Sequence, residues 1–160
     1  MNVLVLYYSR SGNTLKLAEA VAEGVCAVDG AQCLLKSTSE VTKEDFVGCS
    51  ALIAGSPVYF GGMASELKRV FDEFVNVRKK MENKIGAAFA TGGGPSGGKE
   101  TTLLSIIQAM LIYGMIIAGD PMDASGHYGV ACIGSPDAAA KENARKLGRR
   151  VAELAKKLAS

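Results

Sequence analysis

Six consecutive residues, Ser9, Arg10, Ser11, Gly12, Asn13 and Thr14, have no apolar residue among them. Before them runs the apolar stretch Val3 to Leu6. After them Leu15, Ala18, Val21, Ala22 and Val25 repeat at helical spacing. A polar loop at a helix N-terminus offers free backbone N–H groups, side-chain donors and the positive end of the helix dipole. That combination binds an anion, most often a phosphate. Ser, Gly, Asn and Thr are also ordinary turn and capping residues. A plain cap needs one of them, whereas this loop has five.

Two further loops carry unusual residues. Gly55-Ser56-Pro57-Val58-Tyr59-Phe60-Gly61-Gly62-Met63 sets two aromatics between a proline and a glycine pair. Loop aromatics either tuck into the core or cover a ligand. Thr91-Gly92-Gly93-Gly94-Pro95-Ser96-Gly97-Gly98 holds five glycines in eight residues. Glycine lets backbone approach a flat ligand without a Cβ in the way. Taken together, the loops offer a phosphate cradle, an aromatic wall and a backbone platform, which would suit a planar aromatic mononucleotide.

The elements that must position these loops alternate along the chain. Strands are expected at Asn2–Tyr8, Ala31–Lys36, Ala51–Gly55, Ile85–Ala90 and Met115–Ala118, the last resuming at Val130–Ile133. Helices are expected near Asn13–Cys26, Thr42–Val47, Ala64–Arg78, Lys99–Tyr113 and Asp137–Leu158. The strands are continuous apolar runs, the mark of a sheet covered on both faces. Five βα units in 160 residues give an open, doubly wound parallel sheet, read as a single α/β domain over residues 1–160. Ligands of such sheets bind beyond the C-terminal ends of the strands, where strand order reverses. The loops after strands one, three and four should meet there.

The stretches Val3 to Ser9, Gly55-Ser56-Pro57 with Phe60-Gly61, Thr91 to Gly94, and Tyr113-Gly114-Met115 resemble the flavodoxin-like FMN proteins over essentially the whole chain. Within them the chain is most similar to the NAD(P)H:quinone oxidoreductases often called multimeric flavodoxins. The resemblance implies a five-stranded sheet in the order 2-1-3-4-5 and FMN as cofactor. It implies Ser9, Arg10, Ser11, Gly12, Asn13 and Thr14 around the FMN phosphate. The Tyr59-Phe60-Gly61 turn would line the isoalloxazine, with Pro57 and Val58 also binding the cofactor, and Ala90, Thr91, Gly92, Gly93, Gly94 and Pro95 would contact its polar edge through backbone atoms. Tyr113 stands where the family carries a histidine beside the flavin, and a phenol can still donate a hydrogen bond. The family places a Tyr-Gly pair near the active site, so His127 and Tyr128 would face substrate or nicotinamide. A lone loop histidine is otherwise a surface residue. The chain has no Trp, whereas the quinone reductases use one in their pocket.

The expected chemistry is electron transfer from NAD(P)H through FMN to a quinone or similar small acceptor, with the cofactor carrying the reaction. The alternative is a flavodoxin-type carrier cycling FMN by one-electron steps with protein partners. Carriers of that type present an acidic face, whereas this chain has 18 basic and 16 acidic residues, net +2. The basic residues are dispersed, which argues against nucleic acid. Gly55-Ser56-Pro57 stand where a response-regulator receiver would need an acceptor Asp. The four cysteines have no CxxC spacing and there is one histidine, so no metal site is expected. Reduced thiols and the lack of a signal-peptide pattern favour a cytoplasmic protein. The longest apolar run, Ala109 to Ala118, is too short for a membrane span. Arg69 and Val77, outside the buried stripe of helix three, could serve a homodimer or higher homo-oligomer.

Overall fold

The computed structural model describes residues 1–159. The apolar runs become the strands β1 (Asn2–Tyr7), β2 (Gln32–Ser37), β3 (Ala51–Pro57), β4 (Ile85–Gly92), β5 (Ile116–Ile117) and β6 (Val130–Ile133). The helices are α1 (Asn13–Cys26), α2 (Lys43–Gly48), α3 (Ser65–Glu73), α4 (Lys99–Ile112) and α5 (Ala138–Leu158). All strand pairs are parallel, in the order β2-β1-β3-β4-β5, with β6 also on β4. This is the expected five-position sheet, with β5 and β6 sharing the fifth position.

Successive side chains of a strand point to opposite faces, and both faces here are covered. Val3, Val5, Ile53, Ala87 and Phe89 lie among the α1 residues Leu17 and Val21 and the α5 residues Leu147 and Val151. Leu4, Leu6, Leu52, Ala54 and Ala88 lie on the other face with Phe46 of α2, Leu67 of α3 and Ile106 of α4. The α1–α5 crossing is close. A Cβ on Gly24 would lie 2.0 Å from the Arg145 carbonyl oxygen, and one on Gly148 would lie 2.1 Å from that of Val21.

Three departures from expectation stand out. β3 and β4 run on to Pro57 and Gly92, because Val58 N–H bonds the Thr91 carbonyl at 2.8 Å and Gly134 N–H the Gly92 carbonyl at 2.8 Å. The third helix is α-helical only to Glu73 and then winds as a 3-10 segment over Val75–Met81. Val75, Asn76 and Val77 are weak helix formers, and Val77 N–H reaches back only three residues, to the Phe74 carbonyl. Ladder pairing in β5 is confined to Ile116–Ile117. The chain then leaves the sheet through Gly119-Asp120-Pro121 and returns as β6, in register with Phe89–Gly92. Proline lacks the N–H a continuing ladder requires.

Candidate functional site

The turn from β1 into α1 ends on Gly12, whose φ of 90° places it in the left-handed region that glycine tolerates. No side chain caps α1. Ser9 instead works from behind, its Oγ accepting the Gly12 N–H at 3.1 Å. The first N–H groups of a helix have no partner within it, so those after Gly12 are available to an anion. Thr14 is 2% exposed, and its hydroxyl shares a 2.8 Å hydrogen bond with that of Thr91 at the end of β4. This bond ties the first loop to the third. Arg10 and Ser11 are exposed at the mouth.

The second loop is a small hairpin. Tyr59 and Gly62 exchange two backbone hydrogen bonds at 3.0 Å, enclosing Phe60 (φ 50°) and Gly61 (φ 76°). Positive φ at both central residues is the signature of the tight primed turns. Ser56 Oγ accepts the Ala64 N–H at 2.8 Å and donates to the Pro57 carbonyl at 2.7 Å, closing the loop at its base. The Tyr59 ring meets Tyr8 edge to face, 6.4 Å between centroids. A hydrogen bond to Glu66 raises the Tyr8 phenol above its ordinary pKa, partial desolvation adds to this, and Arg10 opposes it. Gly61 also packs against the third loop: a Cβ on Gly98 would sit 3.0 Å from the Gly61 Cα.

Together these loops enclose a cleft of about 350 Å³. Arg10, Ser11, Asn13 and Thr14 line it from the first loop, Pro57, Val58 and Tyr59 from the second, and Thr91, Gly92 and Gly93 from the third, joined by Gly134. Among the described residues that line it none is acidic, and Arg10 is its cation. A larger residue in the floor at Gly92 would force the Lys99 stem to shift. A Cβ there would lie 2.9 Å from the Lys99 Cγ and 3.4 Å from the Val58 Cγ2. An anion end at α1, an aromatic side wall and a bare backbone floor fit a planar group carrying a phosphate.

The expected site residues are thus sorted. Ser9 and Gly12 shape the cradle without lining the cleft. Phe60 stands fully exposed at the turn tip, neither in the core nor on the cleft wall. Gly61, Gly94 and Pro95 are likewise outside the lining. Tyr113 is corrected: it ends α4 at the opposite edge of the sheet, where Asn83 N–H bonds the Gly114 carbonyl just before β4 begins. It is 4% exposed, donates its hydroxyl to the Phe71 carbonyl at 2.5 Å and packs edge to face on Phe46 and Phe71. Burial pushes its phenol up to about 12. Helix direction accounts for the error, since the C-terminal end of a βα-unit helix returns to the strands' N-terminal edge. His127 and Tyr128 also fall outside the cleft. They line a separate cavity of about 180 Å³ with Glu100, Ser125 and Asn143. Two residues outside the expected set take part: Gly134 lines the cleft, and Lys99 lines the His127 cavity while its stem packs against Gly92. Only three-dimensional pairing could reveal Gly134, whereas a lysine directly after the glycine run was a visible signal.

The sequence pattern of a family described as NADPH-dependent FMN reductase matches residues 25–128. A flavodoxin of Aquifex aeolicus is 39% identical over 158 residues, covering 94% of this chain and 85% of its own. An NAD(P)H dehydrogenase (quinone) of Archaeoglobus fulgidus is 35% identical over 188 residues, covering 98% of each chain. Among solved structures, a flavodoxin from the domain Archaea superposes with a TM-score of 0.83 at 26% identity, covering 98% of this chain and 99% of its own.

Proposed function

The chain belongs to the NADPH-dependent FMN reductase family, and from that premise we propose that it is an FMN oxidoreductase passing electrons from NAD(P)H to a quinone or similar small acceptor. Residues 1–160 act as one FMN-binding domain. The observation that carries this reading is the cleft itself. An uncapped helix N-terminus is joined through the Thr14–Thr91 hydroxyl pair to a glycine floor beneath Tyr59.

FMN, when bound, supplies the redox chemistry. The protein's share is binding and orientation. The α1 N–H groups, the Ser11 and Thr14 hydroxyls and the Arg10 guanidinium hold the phosphate. Pro57, Val58 and Tyr59 form one side of the ring site, and Thr91, Gly92 and Gly93 present backbone to its polar edge. Phe60, held at positive φ and wholly in water, belongs to the face a small acceptor or a second copy of the chain would meet. His127 and Tyr128 are assigned to the donor or acceptor through their own, separate cavity. His127→Ala should alter turnover and leave FMN retention unchanged. Activity in the cytoplasm and a homo-oligomeric state are part of the same reading. Among the described residues no helix is long and apolar enough to cross a membrane.

Anaerobic addition of NAD(P)H to the FMN-loaded protein tests the proposal, with the visible spectrum recorded. The expected result is bleaching of the flavin band and its return on adding quinone. A protein that takes up no FMN ends the reading. A second reading, a flavodoxin-type carrier, draws on the Aquifex relative. It prevails if loaded protein oxidises no NAD(P)H with any quinone yet exchanges single electrons with a protein partner.

A further inference from the structure

We infer that Lys99 is a positioning residue, one that clamps the glycine platform and biases the cleft toward the negatively charged, two-electron-reduced cofactor; this rests on the FMN reading above. Lys99 opens α4 directly after the uncapped Gly98. The positive end of the helix dipole makes that the least favourable place on a helix for a cation. Lysine is also among the residues least often buried without a partner, yet Lys99 is 9% exposed.

Its ammonium donates to the Gly94 carbonyl at 3.0 Å and the Pro95 carbonyl at 2.8 Å. Both partners are neutral, and among the described residues no carboxylate pairs with it. Desolvating a charge with only neutral partners is costly. A lysine that merely began a helix would turn into water and avoid that cost. Here the stem runs under Gly92, so the side chain fixes both the floor and the loop beyond it. The field extends across the sheet end. Burial and then the Asp137 carboxylate push the Cys132 thiol, the register partner of Thr91, up to about 11, and the Lys99 charge opposes that rise in part.

Hydride delivery from NAD(P)H transfers two electrons and one proton and leaves NAD(P)⁺. The neutral isoalloxazine then carries one net negative charge. A fixed cation behind the platform favours that form over the oxidised one. Holding Gly94 and Pro95 in place, by contrast, helps both forms alike, so the two roles separate experimentally.

The test compares wild type with Lys99→Met, which keeps the apolar stem, and Lys99→Arg, which keeps the charge. Hydrogen exchange is measured on the apoproteins, and the two-electron potential and oxidised-FMN affinity on the loaded ones. Lys99→Met is expected to speed amide exchange over residues 93–98 about tenfold. Its affinity for reduced FMN should fall about tenfold further than that for oxidised FMN, a lowering of the potential of about 30 mV. Lys99→Arg should recover the potential. Unchanged exchange overturns the clamp, and an unchanged potential in Lys99→Met overturns the charge bias. If wild type binds no FMN, the FMN reading fails, while exchange in the apoproteins still decides the clamp.

Discussion

At the scale of single residues, the buried hydroxyl pair and two misplaced aromatics carry the sharpest expectations. Thr14→Val strands the Thr91 hydroxyl in a site 5% exposed, and an unsatisfied buried polar group costs about 1–3 kcal/mol. FMN affinity should fall about tenfold or more by fluorescence titration. Tyr113→Phe removes a buried donor to the Phe71 carbonyl and should lower stability by about 1 kcal/mol with FMN binding intact. The pH dependence has a definite sign. The folded phenol is raised from 10.0 to about 12, so its contribution is complete below pH 10 and lost as pH rises through 12. Wild type should therefore lose stability faster than Tyr113→Phe across that window in chemical denaturation. Phe60 pays for its left-handed φ of 50° with no packing in return. Phe60→Asn installs the Asn-Gly pair such turns favour and should raise stability by about 1 kcal/mol, read as a higher Tm.

At the scale of elements, the α1–α5 crossing separates two opposing effects. An exposed helix gains about 1 kcal/mol when glycine becomes alanine. At Gly148 the new methyl would meet the Val21 carbonyl oxygen at 2.1 Å, and overpacking of this kind costs about 1–3 kcal/mol. Backbone cannot rotate away as a side chain can, so the clash wins. Gly148→Ala should lose about 1 kcal/mol net in urea unfolding. The same elements show what sequence can and cannot disclose. Val3 to Leu6, Ala51 to Ala54 and Ile85 to Ala90 were legible as central strands because coverage on both faces leaves no polar alternation. The outer ends of β3 and β4 were not, because Pro57 and Gly92 read as loop and are held in strand by cross-loop hydrogen bonds. The 3-10 segment escaped for a related reason: its apolar spacing matches an α-helix, and the change of winding lies in the backbone.

At the scale of the molecule, the cradle was legible because anion binding by a helix N-terminus is local chemistry. Which residues share a cleft was not, since Tyr113 and the first loop lie at opposite edges of one sheet. The four cysteines give a whole-chain test. Burial pushes the Cys33 thiol up to about 12 and those of Cys49 and Cys132 up to about 11, while Cys26 is exposed. Because the thiolate is the nucleophile, a thiol-specific chromogenic reagent at neutral pH should titrate Cys26 rapidly in native protein and all four after denaturation. The divided fifth position of the sheet has a last consequence, for self-association. An unbroken edge strand is a template on which a foreign strand can add and polymerise. Here that border is split between the two residues of β5 and the four of β6, so it offers no continuous row of donors and acceptors. Strand-addition aggregation is thereby confined to the opposite border, where β2 extends for six residues.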